Sequence, residues 1–238
     1  MKNLPNLLTL LNATFGVAAI YFIQMDSSTG VVICLVVAAI FDVFDGMLAR
    51  KLGTSGELGK ELDSLADAIS FGAVPAFLWS SILSGFGNIA QPYAIFMGGL
   101  IASSSIYRLA KFNLSTDQGK DFIGMPTPAN ALFALGIWSW LGSWDSWQWY
   151  GSFTGDQKLI FTMVLIVLWA LSLYWTNARF RIMSLKDTKD PKRKKAQTLL
   201  IVLFVLFSYF FRALALSIVV FLLPIITKFI PAGDKELK

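Results

Sequence analysis

The chain has 238 residues, 55% hydrophobic and only 15% charged, with a mean hydropathy of +0.62. A soluble domain carries about 25% charged residues, so the composition excludes a disordered chain and argues against a soluble globule. There is no histidine and a single cysteine, Cys34, inside an apolar run, which removes imidazole bases, His-ligated zinc or haem, intramolecular disulfides, Cys-rich zinc sites and iron–sulfur clusters.

The apolar runs read as membrane-spanning helices, because open sheets cannot cross lipid and the runs lack the alternation of a barrel. No cleavable leader is expected, since Met1 and Lys2 are followed by Pro5 and Asn6, with no small-residue cleavage site after the first run. Spans are expected at 8–25, 30–49, 62–84, 92–111, 128–143 and 158–176. The third begins among acids and contains Pro75; the fifth is short and rich in Trp. The last run, 196–230, is too long at ~1.5 Å per residue for one crossing of ~30 Å. Arg212 near its middle suits a hairpin of two spans.

Charge placement supports eight crossings. With the N-terminus inside, the inner segments 1–7, 50–61, 112–127, 177–195 and 231–238, with the adjoining helix ends, hold all the Lys and Arg except Lys158 and Arg212. That bias follows the positive-inside rule, and a seven-span count would put Lys228, Lys235 and Lys238 outside. The net charge of +5 is thereby read as loops facing anionic lipid, and no nucleic-acid partner is expected. The run Lys192-Arg193-Lys194-Lys195 reads as a topology signal touching headgroups. Trp144, Trp147, Trp149 and Tyr150 read as an outer interfacial belt.

Acids stand where a membrane should have none. Asp42 and Asp45 lie three apart on the second helix, and Asp63 and Asp67 lie four apart on the third, so each pair shares a helical face. A short turn containing Gly53 and Gly56 joins the two helices, which are expected to be antiparallel neighbours with facing acids. Four uncompensated carboxylates at low dielectric would each cost several kcal/mol, and Arg50 alone cannot neutralise them. Clustered oxygen ligands suit Mg²⁺, Mn²⁺ or Ca²⁺, and Mg²⁺ usually shares its coordination with substrate phosphates. Gly46 and Ala49 would let a bulky ligand approach the helix backbone, and Arg50 can pair with phosphate. On the acids alone, a proton or cation pathway is the competing reading.

The full spacing is Asp42-x2-Asp45-Gly46-x2-Ala49-Arg50-x8-Gly59-x3-Asp63-x3-Asp67. It resembles the signature of the CDP-alcohol phosphotransferases at all eight fixed positions. A chance match at a given start is on the order of one in 10^10 at average residue frequencies. Arg50, which would repel a cation, also speaks against a cation transporter. The resemblance implies an all-α integral membrane fold, a six-helix core plus two C-terminal helices. It is expected as one transmembrane catalytic domain over 1–238, with core 1–176 and a C-terminal hairpin at 196–230. Within the family, four segments are similar to the membrane-embedded phosphatidylserine synthases. They are the run from Pro5 to Asn12, the segment from Leu62 to Asp67 followed by Phe71 to Pro75, the stretch from Tyr107 to Asn113 and the loop from Phe122 to Asn130.

The resemblance implies CDP-diacylglycerol and L-serine as substrates, with phosphatidylserine and CMP as products; glycerol 3-phosphate or inositol phosphate is the alternative acceptor. It implies that Asp42, Asp45 and Asp63, with Asp67 beside them, hold Mg²⁺ or Mn²⁺, and that Asp67 is the general base. By the same resemblance Gly46, Ala49, Arg50 and Gly59 belong to the nucleotide and phosphate site. Asn6 meets the diphosphate or caps a helix. Arg108 and Lys111, at the inner end of the fourth helix, are candidates for the serine carboxylate; Arg108 could equally hold lipid phosphate or snorkel to the interface. The implied setting is a bacterial-type inner membrane, with a homodimer embedded among membrane lipids and the active site and both termini facing the cytoplasm.

Overall fold

A computed structural model describes residues 3–54, 56–114, 122–142, 144–178, 181–182 and 217–222. Helix α1 spans Leu4–Gln24 and opens on Pro5, whose missing N–H costs nothing in a first turn. Its buried positions, Pro5, Thr9, Asn12, Gly16, Ala19 and Ile23, recur every three or four residues and form one inward stripe. Helix α2, Ser28–Leu52, starts where Ser27 Oγ accepts from the Gly30 N–H and stops at Gly53, whose left-handed φ of 60° suits a residue without a Cβ.

The third expected span is one bent helical segment in three parts. Helix α3, Glu57–Asp67, runs into a π-helical turn, Ala68–Ala73, and then into α4, Val74–Gly85. Pro75 has no N–H to donate, and the ladder widens just before it. Helix α5 spans Gln91–Leu114, α6 Thr127–Leu141, α7 Trp144–Gly151 and α8 Gly155–Asn177. A capping box between Thr154 and Gln157 starts α8. Strands β1 (Phe122–Ile123) and β2 (Arg181–Ile182) form one short antiparallel pairing, Phe122 opposite Ile182 and Ile123 opposite Arg181. Gly124, at φ 72°, follows β1 where a Cβ would meet the Thr176 carbonyl oxygen at 2.8 Å. The loop is tied to α8 there by the Met125 N–H donating to the Trp175 carbonyl at 2.8 Å.

The all-α expectation holds, and the expected spans fall on α1, α2, the α3–α4 segment, α5, α6 and α8. Among the described residues, α1, α2, the α3–α4 segment and α8 are long and apolar enough to cross a membrane. Helix α6 is short, with only 15 residues, and the last turn of α5 carries Lys111. The basic run 192–195 lies outside the described residues, as does the hairpin expected at 196–230 except for residues 217–222. Residues 217–222 are helical. Ser217 Oγ donates to the Phe133 carbonyl at 2.6 Å, and the Phe221 ring meets Trp175 edge-on.

The α3–α4 segment is the hub. Of its apolar window 56% is buried inside the protein, against 28% for α1 and α2 and 17% for α8, whose outer faces are left to lipid. Trp79, Leu78, Ile82 and Leu83 of α4 pack with Phe133 of α6 and Ile101 of α5 in the core. The π-helical turn touches α1, α5 and α6. Tyr150 of α7 turns inward rather than joining a belt: its hydroxyl donates to the Phe86 carbonyl at 2.8 Å and accepts from Asn88 Nδ2 at 3.0 Å.

Candidate active site

One expectation about the acids needs correction. Helices α2 and α3 hardly touch; α1 packs against both. The acids therefore meet across a space beside α1 and not through a packed helix pair.

Three of the four do meet. Carboxylate oxygens of Asp42, Asp63 and Asp67 lie within 4.8 Å of one another, all three side chains being partly buried. Asp45 sits apart from that trio, 4% exposed, with its Oδ2 accepting from Thr9 Oγ1 at 2.5 Å. It remains within electrostatic reach of Asp63 and Asp67. The Thr9 hydroxyl also approaches the Pro5 carbonyl, at 3.1 Å, so α1 holds Asp45 in place.

The remaining signature residues line the same region. Arg50 is exposed at the end of α2 and within electrostatic reach of Asp45. A Cβ at Gly46 would meet only the Arg50 guanidinium, at 3.4 Å, so glycine leaves that guanidinium room beside the helix. Ala49 is partly buried one turn on. A Cβ at Gly59 would stand 3.5 Å from Asn6 Oδ1, which brings the first helix against the start of α3. Helix α3 is pinned on its other side: Lys60 Nζ donates to the Asn113 carbonyl at 2.8 Å, and Asn113 Nδ2 donates to Ser64 Oγ at 2.7 Å. Arg108 reaches in from α5 and interacts with Asp67, while Lys111 is exposed.

The trio suits a hard cation. It offers three carboxylates and no soft ligand, and Asp67 Oδ1 is buried with no hydrogen-bond partner. An orphaned buried carboxylate oxygen is costly unless something positive meets it. Asp42, Asp63 and Asp67 therefore fit a bound divalent ion.

Thr9 and Asn12 fall within the Pro5 to Asn12 run, but the sequence assigns neither a role in the site. Asn12 is fully buried on α1 and faces Asp67. A signal is present: Asn6, Thr9 and Asn12 follow each other at intervals of three, a polar line in the first half of a mostly apolar helix.

The geometry agrees with the comparisons. The sequence model of the CDP-alcohol phosphatidyltransferase family matches residues 2–155. The chain is 40% identical over 131 residues to the archaetidylserine synthase of Methanothermobacter thermautotrophicus, covering 54% of each protein. It is 31% identical over 181 residues to the CDP-diacylglycerol–serine O-phosphatidyltransferase of Mycobacterium leprae, covering 69% of this chain and 58% of the relative. With the protein of that name from Bacillus subtilis it shares 34% over 129 residues, 54% of this chain and 71% of the relative. The match thus spans little more than half the length of the archaeal and mycobacterial relatives. The signature residues, all eight of them, lie inside the matched region 2–155. With its apolar helices, the chain is an integral membrane protein and belongs to the CDP-alcohol phosphatidyltransferase family.

Proposed function

We propose that the protein transfers the phosphatidyl group of CDP-diacylglycerol to the hydroxyl of L-serine, releasing CMP. The observation that carries this reading is the meeting of Asp42, Asp63 and Asp67 beside the Gly46, Ala49, Arg50 and Gly59 positions of the signature. The names of the mycobacterial and Bacillus relatives support serine as the acceptor.

The serine hydroxyl oxygen bonds to the phosphatidyl phosphorus. The bond from that phosphorus to the bridging diphosphate oxygen breaks, and CMP leaves with that oxygen and its electron pair. Asp67 takes the hydroxyl proton. Asp42, Asp63 and Asp67, with Asp45 held nearby by Thr9, would hold Mg²⁺ or Mn²⁺, which when bound neutralises the diphosphate and the leaving CMP. Arg50 and Asn6 take phosphate oxygens, and Gly46, Ala49 and Gly59 keep side chains out of their way. Arg108 holds the serine carboxylate, with Lys111 at its rim.

The reaction is placed on the cytoplasmic side of a bacterial-type inner membrane, in one catalytic domain with its core at 1–176 and a hairpin at 196–230. The family resemblance also implies a homodimer, which light scattering of the detergent-solubilised protein tests. The deciding experiment is CMP release from CDP-diacylglycerol with serine, glycerol 3-phosphate, inositol phosphate or no acceptor. Serine alone should support release. EDTA should abolish it, and Mg²⁺ or Mn²⁺ should restore it. Release with glycerol 3-phosphate only would reassign the acceptor, and full turnover in chelator would remove the metal from the mechanism. Cation flux through proteoliposomes without CMP release would make the protein a transporter.

A further inference from the structure

Around Asp67 the protein leaves several buried polar atoms without partners. Both side-chain atoms of Asn12, Nδ2 and Oδ1, lack a well-formed hydrogen bond, and the residue is 0% exposed. Arg108 Nε, Ser105 Oγ and Asp67 Oδ1 are likewise buried and unpartnered. Such atoms are rare in folded proteins, where buried polar groups almost always find a partner. Here they converge. Asn12 and Arg108 both face Asp67, from α1 and α5. Ser105, one turn before Arg108, packs against Gly72 of the π-helical turn that follows Asp67.

The Asn12 side chain approaches Asp67 without a well-formed bond, but its backbone is fixed. Ser70 Oγ, on the π-helical turn, donates to the Asn12 carbonyl at 2.9 Å. Gly16, one turn further along α1, has no side chain to hold Ser70 away. The amide is thus held at a set position beside Asp67 with its hydrogen-bonding capacity unspent. A carboxamide offers a donor and an acceptor side by side. An amino acid offers the complement, an α-carboxylate that accepts and an α-ammonium that donates.

We infer that Asn12 is an acceptor-recognising residue: Nδ2 donates to the carboxylate of the incoming amino acid, alongside Arg108, and Oδ1 accepts from its ammonium. The acceptor hydroxyl is then left to the Asp67 carboxylate. This rests on the proposed transfer to an amino-acid hydroxyl and assigns the residue that selects the zwitterion.

The test uses the full chain in detergent with CDP-diacylglycerol and Mg²⁺. Wild-type protein is assayed first; if serine does not support CMP release there, the transfer reading itself fails. If it does, Asn12→Ala and Asn12→Leu are compared with wild type. Leucine has nearly the shape of asparagine, and since the amide makes no well-formed bond within the protein, the melting temperature of Asn12→Leu should be no lower than that of wild type. The KM for serine should rise about 10–100-fold, the loss of one or two hydrogen bonds to charged groups. The KM for CDP-diacylglycerol and the half-saturating Mg²⁺ concentration should stay within about twofold, well below the loss of one such bond. The preference for serine over ethanolamine, which lacks the carboxylate, should shrink in both variants. An unchanged KM for serine overturns the inference. So does a shift in the Mg²⁺ requirement, which would make Asn12 a metal ligand, or a melting temperature lowered in both variants with the serine-to-ethanolamine ratio intact, which would make it structural.

Discussion

A carboxylate with 4% exposure keeps its place only if something donates to it. For Asp45 the side-chain donor is Thr9, beside the Gly46 backbone. Thr9→Val keeps the branched shape and deletes the hydrogen bond, and should lower stability by about 1.5–3 kcal/mol, the worth of a hydrogen bond to a charged group; thermal unfolding in detergent measures it, and an unchanged midpoint would mean that Asp45 is held by other contacts. The trio asks a different question, because Asp67 shares a cluster with Asp42 and Asp63 and is also the proposed base. Asp63→Asn and Asp67→Asn should both raise the metal concentration needed for half activity. Only Asp67→Asn should leave kcat depressed at saturating metal, by roughly 10²–10⁴-fold for a lost general base, while CDP-diacylglycerol still binds. If saturating metal returns Asp67→Asn to wild-type turnover, Asp67 is a ligand and nothing more. The four acids are legible in the sequence because a charge in an apolar run has few inexpensive explanations. Thr9 and Asn12 are not. An uncharged polar residue near a helix end has many, and which of them matters depends on what the neighbouring helix brings to that face.

At the level of elements, the π-helical turn decides how the site is assembled. It places Ser70 against Asn12 of α1 and Gly72 against Ser105 of α5 immediately after Asp67. A uniform α-helix through 68–73 would rotate the residues on either side of it and separate those contacts from the acids. The sequence carries only a partial sign of it: Pro75 marks a place where the ladder must give, but the width and direction of the adjustment come from packing between α1, α5 and α6. The facing of the acids is likewise half-legible. Helical spacing puts each pair on one face, yet their meeting beside α1 and not through α2–α3 packing is a tertiary fact. A Cβ at Gly16 would run into Ser70, backbone included. Gly16→Ala should push α1 away from the turn and destabilise the protein by about 1–3 kcal/mol, the usual range for overpacking, and turnover should fall with it. A variant as stable and as active as wild type would show that α1 and the turn are not rigidly coupled.

Across the whole molecule, hydropathy alone locates six of the helical segments seen among the described residues, because in lipid every backbone polar group must be bonded within its segment. The structure adds the division of labour among them. The α3–α4 segment is enclosed, whereas α1, α2 and α8 turn apolar residues such as Val17, Ile33, Val36 and Val167 outward. Those outward faces fix the protein in the bilayer but not its direction, which has to come from charge. The ends of α2 and α5 that flank the acids carry Arg50, Lys51, Arg108 and Lys111, and Lys60 lies on the second turn of α3, which opens on Glu57. The opposite end of α2 begins after its N-cap Ser27, and the sequence carries no Lys or Arg between Lys2 and Arg50. Each Lys or Arg kept near an anionic cytoplasmic leaflet is worth about 1 kcal/mol, so this end of the bundle, with the site, should face the cytoplasm. Cysteines placed one at a time at Lys51 and Ser152, in a Cys34→Ala background, separate the two orientations in intact cells. Position 152, in the connection between α7 and α8, should react with a membrane-impermeant maleimide from outside, and position 51 only after permeabilisation. Labelling of position 51 in intact cells would invert the protein and put the proposed CDP-lipid chemistry on the wrong side of the membrane for a nucleotide substrate made inside.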